Sequence, residues 1–541
     1  MRVGNFSLGF VFLNWSPHLG WPSDRIEGMN AWKIVSAASL VVFAGCGESQ
    51  PEPVIPGDVL LIVIDTLRAD ILSSYGYPKP TSPNLDALAA DGIRFDEVLT
   101  QAPNTATSHA TLFTGLTPWT HRVANLTSLE MGTAGLPPAF TTIAERFQAR
   151  DYRTAAFTDG GPLGHAWNLM QGFDHLEGKF EGVEAKVDQL LQWLDGDGAD
   201  DKQSNFMFLH TYQVHEPYLP PLELAAKFNS NPGYDGPVLD SERRARELRD
   251  SGDEKEPNGK ILYEHKASFT PEDVQYLFDL YTAELAYTDA QLGRLFDALK
   301  AAGRFDGMTI MVTSDHGEEF GEHGEFGHIQ LHRETLRVPL IIRFPKELGG
   351  PWESYRGTVV KERVSQVDVH ATLVELVGAT WEVDAGRSFF ADMREGSFVE
   401  RTSYSETTEG IYGAKAQWGY MRSQRAVRHG EWAMVENEAG GTRVRELGLA
   451  GSPVVPMRAG SPALVKESTP GGVDGDKSKL PFLQTLSGRV NRHLSDAEAL
   501  RMELLAGQST SFSARVDGEN RSELEALGYL EGEPSKVEEE K

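Results

Sequence analysis

Apolar runs separated by polar, glycine-containing turns divide the chain into alternating strands and helices. Val59 to Ile64 is an unbroken series of leucine, isoleucine and valine, which predicts a strand buried on both faces. Comparable strand-like runs begin at Tyr152, Phe206, Met308 and Val338. Alternation of this kind over most of the length predicts one α/β sandwich.

Helices are predicted where capping residues precede a helix-periodic apolar pattern. Ser82 at the cap, Pro83 at the first helical position and Gly92 beyond the end delimit one helix. The sequence TPED, from Thr270, opens a long amphipathic helix that extends to about residue 300. The segment VDVHATLVELVG supplies a further helix.

Changes in composition predict how the chain is divided. We expect an upstream extension and lipoprotein-type signal peptide at 1–46, a Pro-rich linker at 47–57, the α/β domain at 58–385, a smaller β-rich C-terminal subdomain at 386–530 and a disordered acidic tail at 531–541. A final helix is predicted at 524–530. The charged, turn-rich residues 229–270 are interpreted either as a lid or as a solvated surface excursion.

The charge balance narrows the class of partner. The 541 residues carry 79 acidic and 51 basic side chains, a formal net charge of -28. Nucleic acid requires a basic surface, so it is excluded as a partner. An acidic protein that binds an anionic substrate needs a local positive charge, which a metal ion supplies.

The lone cysteine, Cys46, follows the basic Lys33 and the apolar run IVSAASLVVFAG. This run is too short to span a bilayer comfortably and is typical of an export signal. It resembles a bacterial lipoprotein signal, which implies lipidation of Cys46, with Met29 as a candidate start. We therefore expect an exported lipoprotein, in the periplasm or on the cell surface, that meets the membrane only through this anchor. A buried free cysteine is the alternative.

Two acids stand at the carboxyl ends of predicted strands. Asp65 ends the first strand, and Asp315, followed by His316, ends the strand that begins at Met308. Ligands bind at this edge of open α/β sheets. The three side chains could converge on one divalent cation, with imidazole favouring Zn or Mn and carboxylate alone favouring Ca or Mg. An ordinary surface or capping pair is the alternative.

The stretch APNTATSHATLFTG, from Ala102 to Gly115, places hydroxyl groups at the start of a predicted helix. Thr105 to Ser108 would lie at or just before its N-terminus, where free N–H groups and the helix dipole favour an anion. Thr105 is the candidate nucleophile of this stretch, and a simple helix cap is the alternative reading.

Several ordered motifs resemble the sulfatase family of the alkaline phosphatase superfamily. They are LLIVIDTLRAD, YGYPKPTSPNLDALAADGIRF, the Thr105 stretch with LFTG, TSDHGEEFGEHG, LRVPLII and VDVHATLVELVG, and the match spans most of residues 58–380. LEALGYL is similar to the family's closing helix. The resemblance implies an alkaline-phosphatase-like α/β/α sandwich with a large mixed sheet and a catalytic domain over 58–385.

The resemblance also implies a set of metal-binding and catalytic residues. Asp65, Asp315 and His316 would be ligands of one divalent metal ion, and Thr105 would be both the nucleophile and a ligand. Thr66 replaces the second aspartate of the usual pair, so one fewer carboxylate is expected on the metal.

Three histidines would complete the catalytic set. His109 stands where the family usually has an arginine that steadies the nucleophile. His215 matches the family's substrate-side histidine, and His328 lies where many sulfatases carry a lysine. His215 or His328 would protonate the leaving group, and a structural role is the alternative for each. His210, His323 and His332 are not expected to contact the metal or the substrate directly.

The main departure from the family is at the nucleophile. Sulfatases of the main type show Cys-x-Pro-Ser-Arg or Ser-x-Pro-Ser-Arg, and the first residue becomes formylglycine; here the sequence is TATSH, from Thr105. No formylglycine is therefore expected. The family's Gly-Lys-x-His-like substrate motif is also missing between Asp159 and Gly172.

The absence of formylglycine bears on the substrate. A formylglycine hydrate expels sulfate by re-forming its aldehyde, whereas a phosphothreonine is cleared by a second in-line attack. The chemistry of a plain threonine therefore favours a phosphoester substrate. The resemblance to the family favours a sulfate ester. We expect a metal-dependent hydrolase of anionic esters of small molecules, glycans or lipids. The alternatives are a phosphoryl or phosphodiester transferase that acts on a lipid or glycan, and a non-catalytic glycan-binding lipoprotein.

Overall fold

The computed structural model describes residues 57–123, 135–165, 167–200, 202–251, 266–379, 386–407, 410–411, 420–421, 424–429, 432–437, 442–446 and 480–506. The predictions for the signal peptide with Cys46, for all but the last residue of the linker, for the helix at 524–530 and for the acidic tail lie outside these residues. Export and lipid anchoring therefore stay predictions. Within the described ranges, no helix is both long and apolar enough to cross a membrane.

A nine-stranded mixed sheet forms the centre of the main domain. Its strand order is β10-β2-β9-β6-β1-β5-β3-β4, with β11 paired to β2, and β9 runs antiparallel to both of its neighbours. The strands are β1 (Val59–Ile64), β2 (Ile93–Leu99), β3 (Arg153–Thr158), β4 (His175–Gly178), β5 (Asn205–Thr211), β6 (Thr309–Thr313), β9 (Arg337–Arg343), β10 (Thr358–Val360) and β11 (Val364–Ser365). A separate hairpin pairs β7 (Glu319–Phe320) with β8 (Phe326–Gly327). The predicted mixed sheet is confirmed.

Strand β1 lies between β5 and β6 and is parallel to both. All six of its residues are buried, as its uninterrupted apolar sequence predicts. Val63 pairs with His210 of β5 and with Thr313 of β6. Because parallel strands end at the same edge, Asp65 and Asp315 leave the sheet side by side.

Helices cover both faces of the sheet, each over its own apolar core. They are α1 (Pro83–Ala90), α2 (Thr105–Thr114), α3 (Pro118–His121), α4 (Ile143–Gln148), α5 (Gly182–Asp195), α6 (Leu222–Phe228), α7 (Pro237–Ser251), α8 (Pro271–Ala301), α9 (Arg333–Leu336), α10 (Gln366–Leu376), α11 (Phe389–Glu395) and α12 (Leu480–Leu504). Apolar residues of α2, α4 and α10 pack on one face, and those of α1, α5 and α8 pack on the other. This is the predicted three-layer sandwich.

The helix caps agree with the sequence in part. Thr270 and Asp273 form the expected reciprocal capping box at the start of α8. Ser82 does occupy the cap position of α1, but its hydroxyl donates to the Asp86 carboxylate and caps no backbone N–H. The first N–H groups of this helix, those of Asn84 and Leu85, donate instead to the Asp289 carboxylate of α8.

The C-terminal region contains the predicted short strands and two helices, α11 and α12, that were not predicted. An antiparallel sheet joins β12 (Ser403–Thr407), β15 (Gln424–His429), β16 (Trp432–Asn437) and β17 (Thr442–Glu446), and β13 (Gly410–Ile411) pairs with β14 (Tyr420–Met421). Helix α12 was missed, and so was α7 inside the segment that we interpreted as a lid or solvated excursion.

Candidate active site

Thr105 is the first residue of α2, and its side chain faces the end of β1. The preceding residue, Asn104, caps the helix by accepting a hydrogen bond from the Thr107 N–H at 3.2 Å. Thr105 is fully buried, and its Oγ1 donates to Asp65 Oδ2 at 3.2 Å and lies 3.5 Å from His316 Nε2. The helix start therefore holds this hydroxyl against the acids at the sheet edge.

Asp65, Asp315 and His316 form a fully buried cluster next to Thr105. One ligand atom from each of the three lies within 4.8 Å of the others. His316 Nε2 is 3.3 Å from Asp315 Oδ2 and 3.9 Å from Asp65 Oδ1. The structure thus brings the predicted metal-binding residues together.

The hydrogen bond made by Nδ1 of His316 leaves its Nε2 available to bind a cation. Its Nδ1 lies 3.0 Å from the carbonyl oxygen of Gly317, which fixes the ring hydrogen on Nδ1 and leaves the Nε2 lone pair towards the carboxylates. Asp65 Oδ1 and Asp315 Oδ2 receive no hydrogen bond from the described part of the chain. Three electron-rich atoms facing one another are stable together only around a positive charge, so this donor set fits a divalent metal ion.

The carboxylates of this cluster are strongly desolvated. Burial raises the pKa of Asp65 to about 6, and burial together with the nearby Asp65 charge raises the pKa of Asp315. A cation would reverse both shifts by stabilising the ionised forms.

Hydroxyl groups next to the cluster hold its backbone. The Ser108 Oγ donates to the Asp315 carbonyl oxygen at 2.6 Å and also lies 2.9 Å from Gln366 Oε1. Thr66, in the left-handed region with φ 55, turns its Oγ1 towards the carbonyl oxygens of Asp65 and Val214. Its hydroxyl therefore points away from the acids, consistent with one fewer acid at this position.

Two histidines pack beneath the cluster. His109 Nδ1 lies 2.8 Å from the Thr105 carbonyl oxygen and 3.6 Å from Asp315 Oδ2. His210 Nε2 lies 3.2 Å from Asp65 Oδ2, and the two rings are 5.0 Å apart between centroids. Burial lowers the pKa of His109 to about 3 and that of His210 to about 4, so both imidazoles are neutral. His210 thus contacts a predicted metal ligand, and the expectation that it is not itself a metal ligand or a reacting group stays a prediction.

His215 and His328 lie on the other side of His316. The ring centroids of His328 and His316 are 4.5 Å apart, and those of His215 and His328 are 5.2 Å apart. Glu318, which the sequence did not single out, is fully buried with its Oε1 3.3 Å from His328 Nδ1. Burial raises the pKa of Glu318 to about 8 and lowers that of His328 to about 4. This pair thus carries its proton on the carboxyl group.

A cavity of about 640 Å³ begins beside His215. Its lining combines aromatic rings and two guanidinium groups with four carboxylates, and these side chains are Phe180, Tyr212, Tyr287, Arg246, Arg249, Asp159, Glu181, Glu216 and Glu284. Both arginines belong to α7, so part of the charged segment 229–270 borders a cavity. The lid interpretation of this segment stays a prediction.

Gly317 is placed where only glycine fits. A Cβ atom at this position would lie 2.0 Å from the carbonyl oxygen of Glu334 and 3.2 Å from Arg68 Cγ. We expect Gly317→Ala to displace the His316 loop and to destabilise the protein by about 3 kcal/mol or more, measured by urea unfolding. Gly307→Ala is the control, because no atom lies within 4 Å of its added Cβ; equal stability of the two variants would contradict the prediction.

Comparison with known proteins gives consistent matches. The family model described as Sulfatase matches residues 57–379. The chain is 26% identical over 403 residues to the multifunctional alkaline phosphatase superfamily protein PehA of Trinickia caryophylli, covering 63% of this chain and 77% of that protein. It is 24% identical to an N-acetylglucosamine-6-O-sulfatase of Bacteroides thetaiotaomicron, covering 62% and 71%.

Solved structures match the fold over most of the chain. A phosphonate monoester hydrolase of Agrobacterium radiobacter superposes with a TM-score of 0.60 at 21% identity, over 85% of this chain and 100% of that one. A protein solved with its substrate D-glucosamine-2-N,6-O-disulfate gives a TM-score of 0.60 at 18% identity, over 81% and 98%. At these identities the superpositions establish the α/β fold with its large mixed sheet.

Proposed function

Because the chain belongs to the sulfatase family and is a sulfatase-like ester hydrolase, we propose that it cleaves anionic esters by attack of the Thr105 hydroxyl. The observation that carries the proposal is the position of Thr105 Oγ1, 3.2 Å from Asp65 and 3.5 Å from His316 at a helix N-terminus. A threonine that served only as a cap would not need its hydroxyl directed at a buried acid.

Asp65, Asp315 and His316, with Thr105, would hold one divalent cation. Such an ion supplies positive charge for an anionic ester and lowers the pKa of a neighbouring hydroxyl group. The positive end of the α2 helix dipole would favour the non-bridging oxygens of the same ester. Ser108 keeps Asp315 in position through its backbone carbonyl.

His109 acts by positioning in this proposal. It is buried and neutral, with its Nδ1–H directed to the carbonyl oxygen of Thr105. An arginine at the same place would carry a charge, whereas His109 orders the first turn of α2 and packs against Asp315. Charge stabilisation by a protonated His109 is therefore not required.

His328 is the proposed proton donor to the leaving group. The protonated Glu318 donates to His328 Nδ1, so the ring hydrogen of His328 stands on Nε2. His215 adjoins His328 and lines the cavity, where the leaving group would be received. Donation from Nε2 would be coupled to transfer of the Glu318 proton to Nδ1, which keeps the imidazole neutral and leaves Glu318 ionised until it takes up another proton.

A phosphoester is the preferred substrate class. The intermediate on a plain threonine is released by a second in-line attack, which phosphorus chemistry supports and which requires no aldehyde. The names of similar proteins include both an N-acetylglucosamine-6-O-sulfatase and a phosphonate monoester hydrolase. A sulfate ester is the second candidate on the strength of the family.

A substrate panel tests the proposal directly. Metal-loaded protein would be assayed on matched aryl phosphodiester, aryl phosphonate monoester, aryl phosphate monoester and aryl sulfate. We expect the highest kcat/KM on a phosphorus diester or phosphonate. Preferred cleavage of the sulfate would contradict the argument that the threonyl intermediate is released by a second in-line attack at phosphorus. Turnover only with an added alcohol acceptor would indicate a transferase. No turnover with any metal would favour a glycan-binding protein.

Glu318 provides a pH-dependent prediction. Burial raises its pKa to about 8, so it holds its proton below that pH and loses it as the pH rises through 8. Once ionised, Glu318 accepts a hydrogen bond from His328 Nδ1–H, and the donor hydrogen leaves Nε2. We expect wild-type kcat to fall above about pH 8, measured as a pH–rate profile.

The Glu318→Gln variant isolates this effect. The glutamine amide can donate a hydrogen bond to His328 Nδ1 at every pH but cannot transfer a proton, so the variant should turn over more slowly than the wild type and lose the alkaline limb of the profile. Glu325→Gln, at a partly exposed acid of the same hairpin, is the control and should keep that limb. Identical profiles of Glu318→Gln and the wild type would contradict the assignment.

A further inference from the structure

We propose that a second metal site, independent of the catalytic cluster, is formed by Glu319, His323, His332 and Glu334. The first three residues offer one ligand atom each within 4.8 Å of one another. Glu319 lies on β7, His323 in the turn of the β7–β8 hairpin, and the other two residues lie at the start of α9. None of the four belongs to the cluster around Thr105.

The contacts among these side chains converge on a common point. His332 Nδ1 is 2.5 Å and His323 Nε2 is 4.0 Å from Glu319 Oε1. His323 Nε2 is also 2.9 Å from Glu334 Oε2. The two imidazole rings approach to 3.8 Å between centroids. Two imidazoles and two carboxylates thus face one another from two separate elements.

A buried carboxylate oxygen of Glu319 gives independent support for a bound cation. Its side chain is 0% exposed, and its Oε2 receives no hydrogen bond from the described residues. The guanidinium of Arg68 faces this region, but it is paired with Asp70 at 2.9 Å and with Glu322 at 2.5 Å. A buried carboxylate oxygen without a donor is costly, and a bound cation would satisfy it.

The ligand set indicates a zinc-like ion in a structural role. Two imidazoles with carboxylates suit Zn²⁺, and four protein ligands leave no open position for a substrate. The ion would fasten the β7–β8 hairpin to α9. Glu318 and His328 flank that hairpin, so the proposed site would stabilise the segment that carries the proton donor without contacting the substrate.

Zinc stoichiometry tests the proposal. Full-length protein stripped with EDTA would be titrated with Zn²⁺ alone, and bound zinc would be measured after gel filtration by plasma mass spectrometry. We expect two zinc ions per wild-type chain and one per chain for Glu319→Gln or His332→Ala. Asp315→Asn should also keep one, and the Asp315→Asn/His332→Ala double variant should keep none. This pattern separates the two sites, so failure of one leaves the other testable.

A matched control and a variant-free measurement complete the test. His175→Ala removes a partly buried histidine whose Nε2 lies 3.7 Å from Glu177 Oε1, away from both clusters, and should keep both zinc ions. Anomalous diffraction at the zinc edge from wild-type crystals should give a peak between Glu319 and His332. This peak decides the outcome even if His332→Ala fails to fold. Bound zinc that is unchanged in both Glu319→Gln and His332→Ala, with no anomalous peak between Glu319 and His332, would overturn the proposal.

Discussion

Replacement of Thr105 by alanine is expected to lower kcat/KM by about 10⁴-fold or more, because it removes the attacking oxygen. Folding should be little affected, since Asn104 caps the helix independently of the Thr105 hydroxyl, which faces Asp65 and His316. The measurement is the initial rate on the best substrate of the panel, with bound metal and thermal unfolding recorded for the same preparation. A variant that binds metal, folds and turns over near the wild-type rate would exclude Thr105 as nucleophile.

Two further variants sharpen this test. Thr105→Ser keeps the hydroxyl and loses only a methyl group, so it should retain activity within about 100-fold of wild type. Thr107→Ala removes another buried hydroxyl from the first turn of α2, one that donates to the Val123 carbonyl at 3.1 Å, away from the acids. It should cost about 1 kcal/mol of stability and leave turnover unchanged. Inactivity of all three variants would point to a fold defect.

The position of the acids was predictable from local patterns. Asp65 follows a fully apolar run, Asp315 follows another, and a sheet aligns the ends of its parallel strands. The two strands are neighbours in the structure, with Val63 opposite Thr313. The sequence alone did not say that they are adjacent. Adjacency depends on strand order, which arises from packing across the whole sheet.

Residues that act through burial were harder to find. Glu318 and Glu319 form an acidic pair in a glycine-rich loop, a pattern typical of exposed side chains, yet both are 0% exposed. Their burial comes from the packing of the hairpin on other elements. His210 had a local sign, since it is a titratable residue inside the apolar strand NFMFLHT.

Two of the helices that were not predicted, α7 and α12, lack the apolar periodicity or the composition by which a helix is recognised from sequence. Only four residues of α7 are buried, so its apolar periodicity is weak, and its sequence is dominated by charge. Gly488 lies inside α12 and lowers the intrinsic preference for helix there. In each case tertiary contacts outweigh local preference.

Removal of the catalytic cation is expected to abolish turnover and to destabilise the protein more at pH 8 than at pH 5. Burial raises the pKa of Asp65 from 3.8 to about 6 in the cation-free cluster. Between these values the folded protein keeps a proton that the unfolded chain has released. The cation-free protein therefore has its full stability below about pH 4 and loses roughly 3 kcal/mol of it as the pH rises through 6.

The cation and the proton are thus alternatives for the same buried carboxylate. At pH 8 only the metal neutralises the carboxylates of the cluster, so EDTA should lower Tm strongly. At pH 5 protons neutralise these carboxylates and metal affinity falls, so EDTA should lower Tm only slightly. Differential scanning calorimetry at both pH values measures the effect. Asp65→Asn is the matched variant, because a neutral amide removes the buried charge and should make the cation-free Tm at pH 8 higher than that of cation-free wild type. An EDTA-induced loss of Tm that is equal at the two pH values would show that Asp65 does not carry the negative charge that binds the cation.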